Sequence, residues 1–223
     1  MMKRVSLFGF LIAAALIVSE GVVPVKAIAD SHTITSVNDD FSLSWLKDVP
    51  GGQLSATGFF DVLSISTSEI QLQITVTNTT NPALHEAVNS IGFNTNPAVT
   101  ASYITTGTVF EGLGNDTNFP SFQTIEVCVF ASNNCTGGAY NSLLQSGASD
   151  TVRLLLAGNF GTTPTLTLSS FPIKFQGDLG SFEFGGSVAP PVVTPEPSSI
   201  LLFGSGLVGV AAWRWRQVRS STM

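Results

Sequence analysis

A chain of 223 residues is long enough for one well-buried core once both ends are set aside. Only 11% of the residues are charged and the net charge is −6, so solubility rests on Thr, Ser, Asn and Gly rather than on ions. Six of the nine basic residues (Lys3, Arg4, Lys26, Arg214, Arg216 and Arg219) lie near the ends. Residues 30–197 then hold three basic against fourteen acidic residues, which excludes nucleic acid and anionic lipid as charge-driven partners.

Residues 1–29 have the order of a secretory signal: MMKR, an apolar run over 5–18, a polar break at Ser19-Glu20, and VKAIA before Asp30. The pattern predicts a signal helix cut by signal peptidase after Ala29, or after Ala27. An uncleaved anchor is the alternative, and the run is short for a span of roughly 20 residues.

Residues 30–187 read as strands almost throughout. In EIQLQITVTNTT, Ile70, Leu72, Ile74 and Val76 alternate with Gln71, Gln73, Thr75 and Thr77, the period of a half-buried strand. Further strands are predicted at 41–46, 58–66, 90–95, 124–130, 150–158, 165–177 and 181–184. Turn residues separate them at Pro50-Gly51-Gly52, Asn81-Pro82, Asn96-Pro97, Gly137-Gly138 and Gly177-Asp178. One short helical turn is expected over 83–88. The fold class is therefore all-β, an antiparallel β-sandwich or jelly-roll-like body, with Phe59, Phe93, Phe122, Phe130, Phe171, Phe175 and Phe182 filling the space between sheets.

Cys128 and Cys135 stand in CVFASNNC, where Asn133-Asn134 can take the positive φ of a tight turn. Export to an oxidising compartment favours a disulfide between them. Two free thiols are the alternative, and with distant His32 and His85 no zinc-ligand spacing appears.

Beyond the body, residues 188–199 (VAPPVVTPEPSS) have the composition of a stiff, extended linker. Residues 200–213 are apolar apart from Gly and Ser, a predicted short transmembrane helix. As a helix they rise about 21 Å, against a bilayer core of about 30 Å. Residues 214–223 form a basic tail whose Arg214, Arg216 and Arg219 are expected on the cytoplasmic side.

Catalytic constellations are sparse. His32 is expected in a disordered tail and His85 on a surface loop, and His85-Glu86 lacks the second histidine of a zinc protease helix. Asp39-Asp40 would need a distant carboxylate for glycoside chemistry. Neither an enzyme nor a cofactor is expected. The one metal candidate is a weak calcium site at Asn115, Asp116, Thr117 and Asn118 in GLGNDTN, whose spacing matches no established calcium loop and where a solvated turn is the simpler reading.

The ordered tail of Pro195-Glu196-Pro197, hydrophobic run and basic cluster resembles the PEP-CTERM sorting signal recognised by exosortases, membrane-embedded transpeptidase-like enzymes of Gram-negative bacteria. The resemblance implies that Pro195, Glu196 and Pro197 are recognition residues, that cleavage falls near them, and that the chain is sorted to the cell surface or an exopolysaccharide matrix. The segments LSATGFFDVLSIS, SIGF, CVFASNNCTGG and FQGDLGSFEFGG are also similar to the cistern group of PEP-CTERM proteins, which implies no activity. Three functions compete: a non-enzymatic surface or matrix protein, a carbohydrate-binding module of an exopolysaccharide matrix, and a secreted glycan hydrolase. The second needs rings outside the core, for which Trp45, Tyr103, Phe119 and Tyr140 are the candidates.

Overall fold

The computed structural model describes residues 31–189; the signal segment 1–29, nearly all of the linker, the apolar segment 200–213 and the basic tail lie outside the described residues. In chain order the strands are β1 (Ser31–Ile34), β2 (Phe41–Val49), β3 (Gly52–Ile65), β4 (Glu69–Asn78), β5 (Glu86–Asn96), β6 (Val99–Thr105), β7 (Gly112–Phe119), β8 (Gln123–Phe130), β9 (Ser149–Gly158), β10 (Leu166–Ser169), β11 (Pro172–Gly177), β12 (Gly180–Gly185) and β13 (Ser187–Val188). Two short 3-10 turns, Pro82–Leu84 and Tyr140–Ser142, interrupt them.

The strands form two antiparallel sheets. The first runs β13-β2-β3-β4-β9-β6. Its alternation is that of the sequence: Ile70, Leu72, Ile74 and Val76 are buried, and the intervening Thr75 and Thr77 face outward, where their hydroxyls pair with Thr151 and Ser149 across the sheet. In the second sheet β5 is central, pairing with β8 on one side and with β10 and β11 on the other; β7 flanks β8, while β1 and β12 flank β10 and β11. Inward residues of both sheets make one core, so the body is the expected all-β sandwich.

A bulge in β5 shapes the outer side of the second sheet. Val88 pairs with Phe175 and Ser90 with Lys174, leaving Asn89 as the extra residue. The added residue shifts the alternation, so Val88, Ile91 and Phe93 all join the main core. Asn89 and Ser90 hydrogen-bond instead with the Asn134 and Cys135 carbonyl oxygens. Over the same sheet Cys128, Cys135, Phe119 and Ile125 form a second, smaller apolar cluster.

Several expectations change. Strands β1, β6, β7 and β13 were not predicted, because short or Gly-, Ser- and Asn-rich segments gain their strand geometry from tertiary pairing rather than from propensity. The segment 165–177 is two strands, broken at Ser170 with φ 50°. The helical turn over 83–88 shrinks to Pro82–Leu84, because His85 turns left-handed at φ 52° and Glu86 already pairs in β5. Val188 belongs to the body and not to the linker, since β13 pairs with β2 and the Ala189 N–H donates to the Ser42 carbonyl oxygen. Phe59 is 44% exposed on the outer face of β3 rather than in the core, and its neighbour Phe60 occupies the inward position.

Candidate functional site

Three of the four ring candidates are taken up structurally. Trp45 and Phe119 are fully buried, a correction that follows from the inward position of Trp45 on β2 and from the packing of Phe119, at the end of β7, in the smaller cluster with Ile125, Cys128 and Cys135. The Tyr103 hydroxyl lies between the Phe110 and Gly112 carbonyl oxygens at 3.1 and 2.9 Å, and burial, with Asp150 and Glu111 nearby, pushes its ionisation far up. Tyr140 is the half-buried ring left beside open space.

The calcium candidate is not a loop. Residues Asn115, Asp116, Thr117 and Asn118 lie in β7, paired with β8. The Asn115 side chain accepts from the Ala101 N–H at 2.7 Å and donates to the Ala101 carbonyl oxygen at 3.0 Å, acting as one more peptide unit between the edge strands β6 and β7. Asp116 stands exposed at φ 49°. Among the described residues no three His, Cys, Asp or Glu side chains cluster as metal ligands would.

The histidines and acids are also dispersed. His32 lies in β1 rather than in a disordered tail, stacked on Phe41 at 4.1 Å between ring centroids, with Nε2 3.5 Å from Asp39. Asp39 accepts from the backbone and hydroxyl of Thr35, and Asp40 from the Val62 N–H. Burial and the neighbouring Asp40 push the Asp61 carboxyl up. His85 is exposed, 3.7 Å from Asp178.

Buried charges are held in place. Burial pushes Asp150 up, but the N–H groups of Phe110, Thr108 and Val109 and the Thr108 hydroxyl more than compensate, leaving its pKa lowered. Burial likewise pushes Glu183 up, and the Lys174 ammonium at 2.5 Å with Ser121 brings it below its ordinary value. Glu86 goes the other way: it is fully buried, receives one hydrogen bond from the Leu179 N–H, and its carboxyl is pushed up by burial.

Cys128 and Cys135 are joined in a disulfide. The loop it closes lies on β5 through Asn89 and Ser90, and the chain after it reaches the β11–β12 turn, where the Gly138 N–H donates to Gln176 Oε1 at 2.8 Å. Between them opens a cleft of about 480 Å³ lined by Gly138, Tyr140, Gln176, Gly177, Asp178, Gly180 and Ser181. Gly177 is required by close packing, since a Cβ there would lie 2.0 Å from the His85 carbonyl oxygen. Periodicity does not signal this cleft; the Gly177-Asp178 turn and the cystine loop mark its two walls separately.

Outside the described body, residues 193–217 match the model of the PEP-CTERM protein-sorting motif. The chain carries a PEP-CTERM sorting motif. The matched PEP-CTERM segment includes Pro195, Glu196, Pro197, Arg214 and Arg216, and Arg219 follows it. Such a motif implies an exported protein whose C-terminus is held at the membrane before an exosortase processes it. No curated protein matches the chain.

Proposed function

We propose that this PEP-CTERM protein is a non-enzymatic component of the cell surface or of an extracellular polysaccharide matrix. It would be exported through the N-terminal signal, cut by signal peptidase, paused in the inner membrane by residues 200–213, and released by exosortase cleavage near Pro197. The observation that carries the reading is the sorting motif at 193–217. A sandwich in which Asp150 is committed to backbone N–H groups and Glu183 to Lys174 supports a structural body rather than a reaction centre. Mass spectrometry of surface material from cells with and without the exosortase tests it. A C-terminal peptide ending near Pro197 in the first and a membrane-held precursor in the second are expected. Intact Met223 on the surface form in both would leave an ordinary anchor.

The carbohydrate-binding reading is favoured by one observation, the Tyr140 cleft, because a partly exposed ring beside amide, hydroxyl and glycine groups is the surface such a module needs.

A further inference from the structure

We propose that the cleft between the cystine loop and the β11–β12 turn binds a neutral polysaccharide, with Tyr140 and Gln176 as its contact residues; this rests on the carbohydrate-binding reading above. Three features carry the inference.

The walls are fixed before any ligand arrives. The disulfide holds one side, the Gly138 N–H to Gln176 bond joins the two sides, and Gln145 Nε2 donates to the Tyr140 carbonyl oxygen at 2.8 Å. Binding therefore orders little of the protein, which matters for a ligand that gains modest energy per contact. The volume of about 480 Å³ lies within the range of roughly 300–1,000 Å³ typical of small-ligand sites.

The lining has the chemistry of a sugar site. A ring offers its face to the apolar C–H side of a pyranose, while the Gln176 amide and Ser181 hydroxyl meet its hydroxyls. Gly138, Gly177 and Gly180 bring bare backbone, with no side chain in the way, to the cleft wall.

Charge then selects among polysaccharides. The cleft lining contains no cation, and Asp178 stands at its rim with its side chain 78% exposed. Lys174 is paired with Glu183, Arg153 donates to Gln73, and Lys47 lies 5.8 Å over the Phe184 ring. A polyuronate would meet only repulsion there; a neutral glycan meets none.

The test is retention of the full chain, in mild detergent, on immobilised β-glucan, galactan and mannan, with alginate as the anionic polymer. Retention on a neutral polymer is expected, weakened at least tenfold by Tyr140→Ala and unchanged by Phe59→Ala on the opposite sheet. Ser181→Trp, which fills the cleft from an exposed position, should abolish retention even where Tyr140→Ala folds poorly. Absence of retention on all three neutral polymers, equal retention by Ser181→Trp, or equal retention on alginate overturns the proposal. Neutral retention that survives Ser181→Trp would keep a carbohydrate-binding module and remove this cleft from it, whereas retention on no polymer removes both. The surface peptide ending near Pro197 reports sorting independently of either outcome.

Discussion

The indole N–H of Trp45 donates to the carbonyl oxygen of Phe171 at 2.8 Å, joining β2 of one sheet to the break between β10 and β11 of the other. The ring is seated by glycines: a Cβ on Gly58 would come within 2.7 Å of it, and one on Gly186 within 2.4 Å. Gly58→Ala therefore overpacks the core and is expected to cost about 1–3 kcal/mol. The check is a lower urea midpoint with an unchanged slope; a midpoint equal to wild type would mean that the indole has room to move.

Removing the disulfide should weaken the body without unfolding it. The bridge closes a loop with a sequence separation of only 7, so Cys128→Ser with Cys135→Ser should cost on the order of 2 kcal/mol. Alkylation of the exported protein without reductant should label no cysteine. Two labelled thiols per chain would contradict the bond.

Asp150 organises the segment before β7 by accepting from three successive backbone N–H groups. Asp150→Asn removes the charge from these bonds and should cost about 2–4 kcal/mol. The lowered folded pKa values of Asp150 and Glu183 also fix a direction with pH. Their stabilisation is present above the unfolded carboxyl values near about 4 and is lost as pH falls through the lower folded values. Urea midpoints should thus fall below about pH 4, and less steeply in Asp150→Asn.

Glu86 has the opposite sign. Because burial raises its folded pKa, its contribution is full below the unfolded value of about 4.3 and is lost as pH rises through the raised folded value. Relative to wild type, Glu86→Gln should gain stability as pH is raised from about 4 toward 7. A constant difference between the two proteins over that range would show that Glu86 does not titrate abnormally.

Replacing Pro195, Glu196 and Pro197 together by alanine should leave passage across the inner membrane intact and trap the precursor there. The apolar segment that follows is short for a permanent span, so processing rather than anchorage is its expected role. Membrane fractionation reads the outcome. Normal surface yield of a shortened triple variant would remove these residues from recognition.

The strands with clean alternation were legible in the sequence, and β4 is the plainest case because water on one face and core on the other write period two into its residues. β5 was only half legible, since its bulge and its burial on both faces erase that period. Trp45 and Phe119 could not be placed from composition: which side of a strand faces inward depends on register, and register is set by partners distant in the chain. Asn115 was misread for a related reason. Its amide is as good a partner for an edge peptide as for a cation, and only the approach of β6 to β7 decides between them. The cystine was readable because its two residues are close in sequence; the cleft it helps to build was not, because its other wall comes from residues about 40 positions further along.

The pairing of β13 with β2 places the departure of the tail beside Phe171, whose carbonyl oxygen also accepts from the Gly186 N–H. From there β11 runs from Pro172 to Gly177, so the Gly177-Asp178 turn lies roughly 17 Å farther along the sandwich, at about 3.3 Å per residue. Ser31, paired with Ser169, lies beside the same break. The first and last described residues, Ser31 and Ala189, thus both lie by the Phe171 break and away from the Gly177-Asp178 turn that walls the Tyr140 cleft. A tether attached at Ala189 would therefore leave the Tyr140 cleft clear of its point of attachment.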